Sequence, residues 1–146
     1  MTEVDWKPYD VFPEIADTSV FDSWLVAVEL VIGVSHLRIR AEGRWEPVPG
    51  LLAPCGPDGH SGLQLARVIE DCAVGALIGR LGGGSAGYSA TADAASGQKP
   101  FAVGTYCLVT LPSKFAGPLF IAFNTPLRPI RVERLKLAVD AASLTL

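Results

Sequence analysis

The chain has little soft metal-ligand chemistry: two histidines, three cysteines and one methionine in 146 residues. Cys55, Cys72 and Cys107 are odd in number and scattered, which fits neither a disulfide framework nor a zinc signature. They read as small, semi-buried apolar side chains. Charge is also sparse at 18%, with 12 basic against 15 acidic residues, a formal net charge of −3 and no polybasic run. That removes the electrostatic footprint of nucleic-acid binding, and no nucleic-acid partner is expected. The longest apolar stretch, residues 24–34, is broken by Glu29 and is too short to span a bilayer, so no membrane partner is expected. The start, MTEVDWKPYDVFPEIAD, lacks the basic and apolar segments of a secretory signal. The expected location is therefore cytoplasmic. Helical periodicity is nearly absent. Leu63, Ala66, Val68 and Ile69 allow one or two turns within residues 62–74, and residues 90–95 one more.

What remains is hydrophobic at 49%, enough for one folded domain with its own core. Its dominant period is two. Trp24, Val26, Val28, Leu30 and Ile32 fall on one face of an extended run, and Leu37, Ile39, Ala41 and Trp45 on one face of the next. His36, Arg38, Arg40, Glu42 and Arg44 occupy the opposite face, where Glu42 and Arg44 can pair. Gly33 and Ser35 suit a tight connection between the two runs. ALIGRL (76–81) reads as a buried strand and FAVGTYCLVTL (101–111) as one strand ending at Pro112. LFIAFN (119–124) reads as a strand after a Gly117-Pro118 turn. Residues 132–139 form the last strand, with Leu135, Leu137 and Val139 facing one way. Many short strands punctuated by Gly and Pro predict an all-β sandwich. The organisation expected is an N-terminal arm, 1–20, and a single β-sandwich domain, 21–146.

Three motifs carry potential chemistry. CGPDGHSG (55–62) holds Cys55, Asp58, His60 and Ser61. Gly59-His60-Ser61-Gly62-Leu63 misses the G-x-S-x-G elbow at its last position, and the strand and helix that elbow needs are not predicted. A thiol–imidazole pair five residues apart is not how such sites are usually built. Gly82, Gly84 and Gly87 satisfy G-x-G-x-x-G, but the small-residue stretch after them is not a helix start, so a flexible connection is expected. Glu70 and Asp71 read as a solvated turn. No catalytic residue is assigned, and the chain is read as a non-enzyme.

Taken in order, HLRIRAEGRW, GPDG, CAVGALIGRLGGG, FAVGTYCLVTLP and GPLFIAFN resemble the bacterial galactophilic lectin family. The matching positions include Ala41, Gly43, Gly56, Pro57, Gly59, Gly75, Ala76, Leu77, Gly82, Gly117, Leu119, Ile121 and Asn124, across residues 24–140. The resemblance implies a galactose-binding-like jelly-roll β-sandwich and lectin-like recognition of a carbohydrate or other small polar ligand at one end of it. It implies a ligand site of Trp45, Asp58, His60, Gln64, Asn124 and Thr125. Thr125 stands where the family has a calcium-binding Asp, and TPLRPIR follows in place of its Asn-Asn pair. Calcium needs six to eight oxygens, several of them anionic, so no metal ligand and no cofactor are assigned. The alternative expectation is a protein-interaction or homo-oligomerisation domain, with WKPYDVFPEI as its contact arm.

Overall fold

In a computed structural model, the residues described are 4–11, 15–21, 24–50, 52–62, 65–82, 99–112, 114–125 and 130–143. They fold as nine strands with no helix: β1 Lys7–Pro8, β2 Ile15–Phe21, β3 Leu25–Ile32, β4 His36–Glu46, β5 Leu77–Leu81, β6 Phe101–Ala102, β7 Tyr106–Thr110, β8 Ala116–Phe123 and β9 Ile130–Ala142. Two antiparallel sheets result. The first runs β1-β9-β4-β7, with β2 also pairing β9; the second runs β3-β8-β5-β6. This is the expected all-β, sandwich-like architecture. Among the described residues, no helix is long and apolar enough to cross a membrane.

The spine of the first sheet is the β4–β9 ladder, which runs from His36 opposite Ala142 to Glu46 opposite Arg131. Alternation turns Leu37, Ile39, Leu135 and Val139 inward, onto Ala27, Val31, Leu77, Leu119, Ile121 and Phe123 of the second sheet. Trp45 closes this core. Its ring meets Phe123 edge-on at 4.9 Å, and its indole N–H donates to the Gly75 carbonyl at 2.7 Å. The second sheet is covered on its other face too. There Trp24, Ile78, Phe120 and Ala122 pack with Val68, and the Arg80 guanidinium sits 4.7 Å from the Trp24 ring centre and 4.9 Å from that of Phe120.

Several sequence expectations change here. In β3 the inward residues are Ala27, Val28 and Val31, whereas Leu30 and Ile32 are more than half exposed. The ladder with β8 slips twice, and at the second slip Glu29 and Leu30 face the single residue Pro118. Proline has no N–H for the ladder, so the partner strand bulges and its inward face changes phase. Gly117 and Pro118 therefore lie inside β8. The turn before it is earlier, where the Phe115 N–H donates to the Pro112 carbonyl at 3.1 Å and Lys114 takes a φ of 61°. The 101–111 run is two strands in different sheets. Gly104 (φ 61°) turns the chain, and the Val103 and Gly104 N–H groups both donate to the Leu77 carbonyl. Arg44 pairs with Glu133 at 2.9 Å instead of Glu42. Residues 65–74 are a loop without helix, and residues 90–95 lie outside the described residues. The segment read as an arm without strands supplies β1 and β2, both along β9, and β2 crosses the expected boundary at residue 20.

Trp45→Ala should lower the unfolding free energy by about 3–5 kcal/mol, the usual cost of emptying a buried indole site. Ile32→Thr should change it by less than about 0.5 kcal/mol, as at other exposed positions. Urea unfolding followed by circular dichroism distinguishes the two; similar losses would contradict the phase change in β3.

Candidate functional site

CGPDGHSG is a turn anchored at both ends. The Gly59 N–H donates to the Gly56 carbonyl at 3.0 Å, so Pro57 and Asp58 are the corner residues. Gly59 has a φ of 71°, and a Cβ there would lie 2.6 Å from the backbone of Val74 and Ala76, so only glycine fits. The polar groups of the segment are engaged separately. Asp58 accepts from the Thr105 N–H at 3.1 Å, and His60 Nε2 donates to the Ala53 carbonyl at 2.6 Å. Cys55 forms an isolated bridge with Trp45 and is buried, its thiol directed to the Gly75 carbonyl at 3.9 Å. Burial pushes its pKa up from 9.0 to about 12. A thiol held this strongly protonated is a poor nucleophile at neutral pH. Burial also raises Cys107, and raises Cys72, where Asp71 adds to the effect and Arg67 opposes it.

Trp45, His60 and Asn124 of the expected ligand cluster each hydrogen-bond to backbone within residues 73–76, but not all of the cluster faces solvent. Trp45, Asn124 and Thr125 are fully buried. The Asn124 amide N–H groups donate to the carbonyls of Ile69, Cys72 and Ala73 at 2.9, 3.1 and 3.0 Å. Its oxygen accepts from the Ile69 N–H at 2.7 Å. Asn124 is thus the anchor of the 69–73 loop, a buried amide whose hydrogen-bonding capacity is used inside the protein. Arg67 tightens the same loop by donating to the carbonyls of Leu65 and Glu70. Asp58, His60 and Ser61 keep solvent access. Gln64, Leu63 and, of the G-x-G-x-x-G motif, Gly84 and Gly87 lie outside the described residues. Of the positions where the resemblance implies calcium ligands, Thr125 is neutral and buried, and the Asn124 oxygen accepts from the Ile69 N–H. Among the described residues no group of three His, Cys, Asp or Glu side chains is placed to hold a metal.

A second constellation forms on the outer face of the first sheet. Register sets Arg38 opposite Asp140. Arg38 donates to Asp140 Oδ2 through Nε (3.1 Å) and Nη2 (2.8 Å), and Arg40 through Nη2 (3.0 Å). Asp140 is only 6% exposed, while the Arg40 side chain is 52% exposed. The buried carboxylate therefore holds one corner of a guanidinium that stays half exposed. The Trp6 ring lies over Arg38 at 4.7 Å, and β1 brings Pro8 opposite Asp140. Two adjoining clefts, of about 320 and 300 Å³, share Arg40, Lys136, Leu137 and Ala138. Residues 8–11 wall the first, and Glu42 borders the second. The arginines were legible as one strand face. Asp140 and Trp6 were not, because strand pairing alone brings residues a hundred positions apart into contact. No family model, curated protein or solved structure matches the chain.

Asn124→Ala should cost about 2–4 kcal/mol, since it orphans one buried amide and leaves several carbonyls short of a donor. Hydrogen exchange should accelerate at residues 69–73 before the β4–β9 ladder; unchanged exchange there would refute the anchor. A thiol with a higher pKa when folded stabilises the fold while protonated. Stability should therefore hold below about pH 9 and fall as the pH rises towards 12, more steeply than in Cys55→Ala. Denaturant midpoints measured across that range check this.

Proposed function

We propose that the protein is a non-catalytic recognition module that binds a small polar ligand bearing a carboxylate or similar anion on the outer face of its first sheet. One observation carries the reading: Asp140 is buried beneath Arg38 and Arg40 and holds Arg40 half exposed between two adjoining clefts. A guanidinium oriented in advance loses less entropy on binding a carboxylate, and its planar fork recognises that group in a bidentate way. Lys136 adds a second cation beside it, and Tyr9, in the wall of the first cleft, offers flat apolar surface for the uncharged part of the ligand. An acidic sugar has both features, and it joins this face to the lectin-like, galactose-binding-like jelly-roll lineage the sequence suggests. The three free thiols suit a reducing, cytoplasmic setting.

A second reading keeps a neutral sugar at Asp58, His60 and Ser61, where the turn remains accessible and His60 has one ring nitrogen without a partner among the described residues. It requires neither calcium nor the buried Trp45.

Calorimetric titration with glucuronate, galactose and glucose, each with and without calcium, separates the two. Glucuronate should bind, and Arg40→Ala should weaken it at least about tenfold, the scale of one charge-assisted hydrogen bond. The affinity should also fall as salt rises. Galactose binding lost in His60→Ala would favour the second reading. No heat with any of the three sugars would sink the carbohydrate version of both.

A further inference from the structure

We infer that β7 is a self-pairing edge, by which two copies of this chain join their first sheets through antiparallel β7 strands about a two-fold axis at Leu108. This goes beyond the ligand reading and does not depend on it.

The β4–β7 register fixes which backbone groups point outward. The Ala41 N–H donates to the Thr105 carbonyl and the Leu111 N–H to the Ser35 carbonyl, so the odd-numbered residues of β7 exchange bonds with β4. The N–H and C=O groups of Tyr106, Leu108 and Thr110 therefore face away from the sheet, with no partner among the described residues. The side chains beside them are bare: Tyr106 is 58% exposed and Leu108 55%. The strand reads YCLVT, without charge, proline or a bulge.

The other edges are blunted. Beyond β9, β1 is two residues long, and β2 is bulged between Ala16 and Ser19 and carries Asp17. β3 is bulged twice and carries Glu29, and β6 is two residues long. Charge, bulges, short length and cover are the devices that stop sheets joining, and β7 has none of them.

A second copy fits this edge by self-complementarity. A two-fold axis at Leu108 sets Leu108 against its own copy and Tyr106 against Thr110, each a pair exchanging two hydrogen bonds. Edge-exposed Tyr and Leu then meet uncharged neighbours. The cationic rows of Arg38 and Arg40 lie on β4, three strand spacings from those of the partner copy. That is about 14 Å, beyond the screening length of about 8 Å in physiological salt. A second copy thus supplies a matching strand without like-charge repulsion. Five residues a side make a small interface, so a weak, concentration-dependent dimer is expected.

Sedimentation equilibrium of the full chain, from low micromolar to about 200 µM, should show the mass rising from monomer to dimer, as expected for a small interface. Leu108→Lys should remain monomeric over the same range with an unchanged melting temperature at the lowest concentration. Ile32→Lys, at the exposed apolar position on the other sheet, should dimerise like the parent. If Leu108→Lys does not fold, Leu108→Cys serves: mild oxidation should link it to its own copy, which opposed antiparallel positions permit, and should not link Ile32→Cys. A parent chain monomeric at about 200 µM would overturn the proposal, as would a folded Leu108→Lys that still dimerises. So would equal cross-linking of the two cysteine variants. None of these measurements involves the sugar, so their failure leaves the Arg40 site untouched.

Discussion

The antiparallel pairing of β4 with β9 is the constraint that the rest of the molecule hangs from. It sets Leu37, Ile39, Leu135 and Val139 on one face as half of the core, and Arg38, Arg40, Lys136 and Asp140 on the other. A slip of one residue would exchange those faces, burying guanidinium groups and exposing isoleucine and leucine, so the register is strongly specified. The same ladder is where the arm docks: β1 and β2 extend the sheet along β9, and Trp6 reaches the Arg38–Asp140 pair.

Polar side chains that look chemical in one dimension serve architecture in three. Asn124 gathers four backbone groups of a loop that has no ladder of its own, and the Trp45 indole and Cys55 thiol meet at one carbonyl, that of Gly75. Gly75 can be there only because it lacks a side chain: a Cβ would lie 2.7 Å from Pro47 and 3.0 Å from the Cys55 sulfur. This dense junction joins the two sheets at one end. Its burial raises the thiol pKa and removes Trp45 from any surface. The exposed guanidinium face is built on the opposite principle, with one carboxylate underneath and the arginine fork above.

Much of the strand content was legible. Alternation marked β4 and β9, a short apolar run marked β5, and the Pro-Asp-Gly chemistry marked the turn after Cys55, because hydrophobic patterning and left-handed glycine are local properties. The failures share a cause. The inward phase of β3 depends on Pro118 in its neighbour, and the break at Gly104 depends on the Leu77 carbonyl and the Asp58 carboxylate. The strands of the arm depend on the free side of β9. Trp45, His60 and Asn124 of the expected ligand cluster do converge on residues 73–76, yet whether Trp45 and Asn124 point out or in is a matter of packing.

By itself, the sequence determined the class of structure: hydrophobic alternation with Gly and Pro punctuation allows strands and excludes long helices, since each residue's preference acts within its own turn or strand. Tertiary structure alone decided which polar residues are available to a ligand. Strand register brings Asp140 under Arg38 and Arg40, closes Asn124 around a loop and leaves Tyr106 and Leu108 exposed on an edge strand. Those outcomes depend on contacts between residues far apart along the chain, which no local pattern encodes.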